Sequence, residues 1–163
     1  MRWPLSFFAA LLIVGDASAQ TANPVSTSLF DARAPAGWAR ETRPSVVNLT
    51  SPDAPLETTG VLVCDPRQGS VHEVCIRSCA AISLEAPHLL EPLDLVKVQR
   101  GEQRHPGYWE YTATGPFKDG GAWLTVSVLC DGHGLAVVGT RAASRARSEQ
   151  LQRGFVSSVH WRR

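Results

Sequence analysis

Apolar and polar positions alternate most regularly between Ala122 and Cys130. Ala122, Leu124, Val126, Val128 and Cys130 fall on one side, and Trp123, Thr125, Ser127 and Leu129 on the other. A period of two is that of a strand, and one wholly apolar side beside a mixed one predicts an antiparallel strand packed on a single face. Asp131-Gly132-His133-Gly134 then forms a turn, and Leu135 to Thr140 returns as the second strand of a hairpin. Beyond it the period changes. Ser144 is a candidate N-cap, and Leu151 and Phe155, four apart, mark the buried stripe of a helix. Gly154 weakens that helix by about 1 kcal/mol relative to alanine. Val159 and Trp161 are predicted to end the domain against the sheet.

Upstream the elements are shorter. Residues 20–28 read as a loose arm, and Leu29 to Ala34 as a short strand ended by the turn Pro35-Ala36-Gly37-Trp38, where Trp38 can cap a core edge. Arg40 to Pro44 is polar connection. Val46, Val47 and Leu49 make a strand; the sequon Asn48-Leu49-Thr50 lies within it and is read as a chance match. Gly60 to Cys64 is a continuous apolar run rich in β-branched residues, which predicts a buried strand. Val71 to Leu84 is predicted helical, Leu93 to Val98 a strand, and Gly101 to Gly107 a polar connection.

Composition adds a compartment. Arg2, the apolar run Leu5 to Gly15 and Ala17-Ser18-Ala19 form the three parts of a secretory signal peptide over residues 1–19. That apolar run is too short to span a bilayer, which needs about 20 residues, so the mature chain is expected to be periplasmic or secreted without a stable membrane anchor. Charge is nearly balanced, +1 over 163 residues, which argues against a nucleic-acid partner. Its distribution is uneven: from Val137 onward six arginines face Glu149 alone. Cys64, Cys75, Cys79 and Cys130 make an even set in an exported chain, which predicts two disulfides. Three pairings are possible. Cys75 and Cys79 share a helical face, and each is expected to bond a different strand-end cysteine, Cys64 or Cys130.

Taken together, the aromatic strand Gly107-Tyr108-Trp109-Glu110-Tyr111, the turn Lys118-Asp119-Gly120-Gly121, the apolar strand, the Asp-Gly turn, the Leu-Ala-Val-Val strand and a polar helix ending in Phe155-Val156-Ser157-Ser158 resemble the C-terminal half of the PsbP family, extrinsic subunits of photosystem II. Phe30 to Trp38 is similar to that family's opening strand and Pro-x-x-Trp turn. The resemblance implies an α+β fold, an antiparallel sheet flanked by helices (an α/β/α sandwich), as a single domain over residues 29–163. It also implies protein binding in place of catalysis.

Catalytic patterns are incomplete. His72-Glu73 begins like a zinc-protease motif, but Ile76 stands where the second histidine belongs, and there is no G-x-S-x-G elbow. His72, Cys75 and Cys79 lie on one helical face and form a candidate metal set, although export favours disulfides and Met1 is the only methionine. The function expected is therefore a non-enzymatic module without a cofactor that binds another protein: an inhibitor, an immunity protein against a cell-wall-directed toxin, or an accessory subunit. The alternative is a small periplasmic enzyme or a metal carrier. For recognition, Arg141 and Arg145 of the basic segment come first; Arg145 is expected roughly 120° from the buried stripe, with Arg147 nearer its edge. Asp131 and His133 of the turn, with Trp123, form the second candidate surface.

Overall fold

A computed structural model describes residues 23–68, 99–116, 120–131 and 133–162. In chain order these form β1 (Asn23–Ser26), β2 (Phe30–Ala34), β3 (Ala39–Arg43), β4 (Val46–Thr50), β5 (Thr58–Cys64), a 3-10 turn (Pro66–Gln68), β6 (Gln99–His105), β7 (Tyr108–Pro116), β8 (Trp123–Cys130), β9 (Leu135–Ala142), α1 (Arg145–Val156) and β10 (His160–Trp161). The architecture is mostly antiparallel β in a single domain. One sheet has the order β3-β4-β5-β9-β8-β7-β6, the other β1-β2-β10. Among the described residues there is one α-helix, so the helix-flanked sandwich expected from the resemblance gives way to a mostly-β arrangement. The helix expected over 71–84 and the strand over 93–98 lie outside the described residues.

Three stretches expected as arm or connection are strands. Asn23–Ser26 pairs with β2 because Val25 is buried and the Asn23 side chain donates to the Trp38 carbonyl at 3.0 Å. The polar stretch Ala39–Arg43 pairs with β4 with all five side chains exposed. The charged stretch Gln99–His105 pairs with β7 along its whole length. β3 and β6 end the sheet order, and charge and polarity on a terminal strand guard against further pairing, so such strands carry no apolar signal.

β8 departs from expectation in the opposite way. Seven of its eight residues are buried, Thr125 and Ser127 among them, so both of its faces are covered. Residues paired across an antiparallel sheet project to the same side, which makes the two faces easy to trace. One carries Thr59, Val61 and Val63 of β5, Ala136, Val138 and Thr140 of β9, Thr125, Ser127 and Leu129 of β8, and Glu110, Thr112 and Thr114 of β7. The other carries Cys64, Leu135, Cys130, Val128, Val126, Tyr111 and Ala113, all buried apolar side chains in one cluster.

α1 lies on the first face. Ser144 caps it, its hydroxyl accepting from the Arg147 N–H at 3.3 Å, and Phe155 and Val156 are buried against Val61, Val63, Val138 and Leu129 in the main core. Leu151 is only partly buried at the edge of that core. From α1 the chain turns into β10, where Trp161 stacks between Phe30 and Tyr108 at centroid distances of 5.8 and 5.5 Å.

Candidate functional site: a polar cleft between β6–β7 and α1

The β6–β7 hairpin turns through Pro106-Gly107, with Gly107 at φ +90°, a conformation that strains any residue with a side chain. This tight turn sets His105 directly opposite Tyr108, and their rings stack at 4.7 Å and 10°. The Tyr108 hydroxyl donates to the Val156 carbonyl at 3.1 Å, tying the hairpin to the C-terminal end of α1. Burial, aided by the Glu110 carboxylate, pushes the Tyr108 phenol well above its ordinary range. Between the hairpin and the helix lies a cleft of about 420 Å³, bounded by Gln103, His105 and Glu110 on the sheet side and by Glu149, Gln152 and Arg153 on the helix side.

The floor of this cleft is a directed chain of hydrogen bonds. Gln152, 2% exposed, accepts from Thr140 Oγ1 at 2.5 Å through Oε1, and donates through Nε2 to Ser127 Oγ at 2.8 Å and the Val138 carbonyl at 3.0 Å. A flipped amide would set two oxygens against each other at Val138, so this orientation is fixed. The single Thr140 hydrogen goes to Gln152, which makes Thr59 the donor across the 3.0 Å contact between the two threonines. Ser127 passes its own hydrogen to Glu110 Oε1 at 2.7 Å, and Thr112 donates to the same oxygen at 2.9 Å. His105 Nε2 lies 2.7 Å from Glu110 Oε2. Every bond from Thr59 to Glu110 points the same way, towards the carboxylate, and aligned bonds of this kind strengthen one another in a low-dielectric interior.

Beside this chain, Ser148 Oγ gives its single hydrogen to the Thr140 carbonyl at 2.8 Å, so Thr125 Oγ1 accepts from Thr114 at 3.2 Å and donates to Ser148 Oγ at 2.8 Å. Thr114, Thr125 and Ser148 thereby form a second directed chain that ends on the Thr140 carbonyl. A buried polar group without a partner costs about 1–3 kcal/mol, so the face is tolerable because these members are paired.

The residues singled out from the sequence do not gather here. Arg141 lies within β9, paired with Leu124 and Thr58, and projects from the apolar face, away from α1. It lines a separate groove of about 480 Å³ with Glu41, Asn48, Gly60 and Gly139. Arg145 is the first residue of α1 and donates to Glu149 at 2.9 Å, one turn on. The two arginines therefore sit on opposite sides of the sheet and make no common patch; a charge count along the chain cannot register that a strand and the helix after it face different ways. Arg147 is exposed and makes a bidentate pair with Glu57 at 2.8 Å through both nitrogens. These bonds hold the Glu57 carboxyl below its ordinary range.

Asp131 is a turn residue. Its Oδ1 accepts from the His133 and Gly134 N–H groups at 2.8 and 3.0 Å, and a Cβ on Gly134 would lie 2.6 Å from a Leu29 methyl. His133 is exposed beside it. Trp123 begins β8 at the far end of the strand, about 24 Å from that turn at 3.4 Å per residue, so the second candidate surface is also split.

Cys64 and Cys130 both lie opposite Leu135, one on each side. Two strand spacings separate them by about 9.5 Å, beyond the roughly 7 Å limit between Cα atoms for a bridge. Cys130 is disulfide-bonded, and this register excludes Cys64 as its partner. Cys75, Cys79 and His72 lie outside the described residues. Among the described residues no group of three His, Cys, Asp or Glu side chains is placed to hold a metal ion, and no helix is long and apolar enough to cross a membrane.

Sequence reading missed the cleft because its members look like surface. A signal was available: Ser148, Gln152, Phe155 and Val156 follow a spacing of four, seven and eight, the pattern of one helix face. Their polar half matches Thr125 and Ser127 on β8.

No family model matches the chain, and no curated protein matches it. A solved structure from Bacteroides thetaiotaomicron VPI-5482 is similar to it at a TM-score of 0.51 and 13% identity, over 82% of this chain and 45% of that one. The chain thus spans less than half the length of that protein, and at this identity the likeness is one of fold alone.

Proposed function

We propose that this chain is an exported, non-enzymatic binding module, and that it holds another protein at the cleft between β6–β7 and α1. The roles that suit such a module are an inhibitor, an immunity protein against a cell-wall-directed toxin, or an accessory subunit of an envelope assembly. The observation that carries the reading is the cleft floor. Its hydrogen bonds converge on Glu110 and fix His105 and Gln152 before anything binds, and a preorganised polar surface loses little freedom on association. The finer PsbP-like identity belongs to the same proposal, supported by the order of the aromatic strand β7, the β8–β9 hairpin and α1. Export is supported by the N-terminal signal pattern and by the disulfide at Cys130. Non-reducing peptide mapping should join Cys130 to Cys75 or Cys79; a Cys64–Cys130 peptide would contradict the register.

The test places a photo-cross-linking residue at Gln103, exposed at the cleft mouth, and a control at Asn48, exposed on β4. Irradiation in cells should give a discrete protein adduct from position 103. Adducts from position 48 alone would remove the cleft from the reading.

One contact favours a second reading. The 2.7 Å approach of His105 to Glu110 is the geometry of a histidine oriented by a carboxylate for general-base work. Among the described residues no serine, threonine or cysteine side chain bonds to His105. A base would therefore have to activate water, and turnover of acyl or glycosyl substrates that disappears in His105→Gln would establish it.

A further inference from the structure

α1 has a second flank, on the other side of the helix from the cleft, and a groove of about 430 Å³ runs along it. The helix wall of this groove is the row Arg147, Leu151, Gly154 and Ser158, whose spacing of four, three and four puts the side chains on one face. The opposite wall is Arg33, Ala34 and Pro35 at the end of β2. Ser158 Oγ accepts from the Arg33 N–H at 2.8 Å and donates to the Phe155 carbonyl at 2.7 Å, which fixes one wall to the other.

The inside of the groove is apolar: Phe155 and Ala34 are buried and Leu151 is half-buried. Gly154 keeps it open. That residue is exposed, and a Cβ built on it meets nothing within 4 Å. Alanine there would be unhindered and more helical, so no contact among the described residues requires the glycine, and the space beside Leu151 stays unfilled. The charge around this slot has one sign. Two arginines line it and, among the described residues, no carboxylate does. Arg147 is committed to Glu57. Arg33 engages Ser158 through its backbone, and its exposed guanidinium meets no partner among the described residues.

An apolar slot bordered by an unneutralised cation is complementary to an apolar side chain with a carboxylate close by. A second copy of this chain would bring the same arginines against each other. A membrane surface is entered by projecting apolar side chains, whereas these are recessed. We propose that the groove docks an acidic, amphipathic segment of a partner protein, with an apolar side chain over Gly154 beside Leu151 and a neighbouring carboxylate on Arg33. This surface is separate from the cleft and stands or falls independently of it.

The experiment is an NMR titration of the full mature chain, following the Gly154 amide, the Leu151 methyls and the Arg33 Nε–H. The probe is the end-blocked tetrapeptide Glu-Leu-Leu-Glu. End-blocked Lys-Leu-Leu-Lys reverses its charge, Glu-Ser-Ser-Glu removes its apolar centre, and phosphatidylglycerol vesicles present an anionic membrane. Saturable shifts at all three signals are expected from Glu-Leu-Leu-Glu alone. Gly154→Leu fills the slot and should weaken binding at least about fivefold. Its melting temperature should stay at or above that of wild type, because leucine is the better helix former. Arg33→Glu should weaken binding about three- to tenfold at low salt and little at roughly 0.5 M, while Arg33→Lys keeps most of the affinity. If Gly154→Leu does not fold, the two Arg33 variants decide alone. Equal binding of either altered peptide, no saturable shift at the three signals, or affinity indifferent to Arg33→Glu overturns the proposal. So do the same shifts produced by vesicles or by concentration-dependent dimerisation, which would give the groove a different occupant.

Discussion

The two faces of the seven-stranded sheet are built on opposite principles. The face turned away from α1 is hydrocarbon: Leu135, Val126, Val128 and Ala113 are each 2% exposed or less and touch one another. The face beneath α1 is apolar only near Phe155 and Val156; the rest is a hydroxyl, amide and carboxylate layer running from Thr59 to Glu110. Burying hydrocarbon stabilises at about 25 cal/mol per Å² whatever its orientation. Burying the polar layer contributes little net stability and demands that each member keep its partner. One face therefore supplies cohesion, and the other supplies a fixed array of donors and acceptors that opens into a cleft.

Substitutions can separate these two contributions. The largest effect is expected from Leu135→Ala on the apolar face, where a side chain 1% exposed between Cys64 and Cys130 is truncated. Urea unfolding should show a loss of about 2–5 kcal/mol, while partner affinity at the cleft stays within twofold; a joint loss would mean that the faces are coupled. Gln152→Leu comes next. It leaves the Thr140 hydrogen, one Ser127 acceptor position and the Val138 carbonyl without their partner, at a cost of about 1–3 kcal/mol. Adding Thr140→Val should recover part of that loss, since one stranded hydroxyl is removed with it. Simple additivity of the two would show that Thr140 had already found water.

The smallest effect concerns pH, and it belongs to the periphery. Hydrogen bonds from Arg162 hold the Asp31 carboxyl below its ordinary value of 3.8, and those from Arg147 hold Glu57 below 4.5. Both groups bind protons more weakly folded than unfolded, so their contribution is complete above those ordinary values. It is lost as pH falls through the lowered native ones. Both pairs are solvent-screened and modest. In Asp31→Asn the slope of stability against pH below about 4 should flatten slightly, with no change near neutrality; an altered slope between pH 6 and 8 would contradict the assignment.

The apolar face was legible in the sequence because its period of two is uninterrupted from Ala122 to Cys130. The polar face was not. Thr125 and Ser127 read as the solvated side of a half-buried strand, and Ser148 and Gln152 as the outside of a helix, because hydropathy records affinity for water and not whether a partner satisfies the group. β3 and β6 escaped for the related reason that terminal strands carry loop-like composition. His105 and Glu110 sit five residues apart, but only the hairpin through Pro106-Gly107 makes them neighbours. The basic segment illustrates the converse: its charge is evident, yet Arg141 and Arg145 belong to opposite sides of the sheet.

The most direct measurement is the affinity of the cross-linked partner, once identified, for three forms of the chain: wild type, Gln103→Ala with Arg153→Ala, and Arg141→Glu with Arg145→Glu. Gln103→Ala with Arg153→Ala should unfold at about the wild-type temperature, since both positions are exposed. Arg141 sits within β9 with its Nε buried, so the arginine variant is compared only at temperatures where it is folded. If the cleft is the site, the first double variant binds at least tenfold more weakly, while the arginine reversal changes mainly the salt dependence of association. Unchanged affinity in the cleft variant together with lost binding in the arginine variant would contradict the account and return recognition to the basic segment.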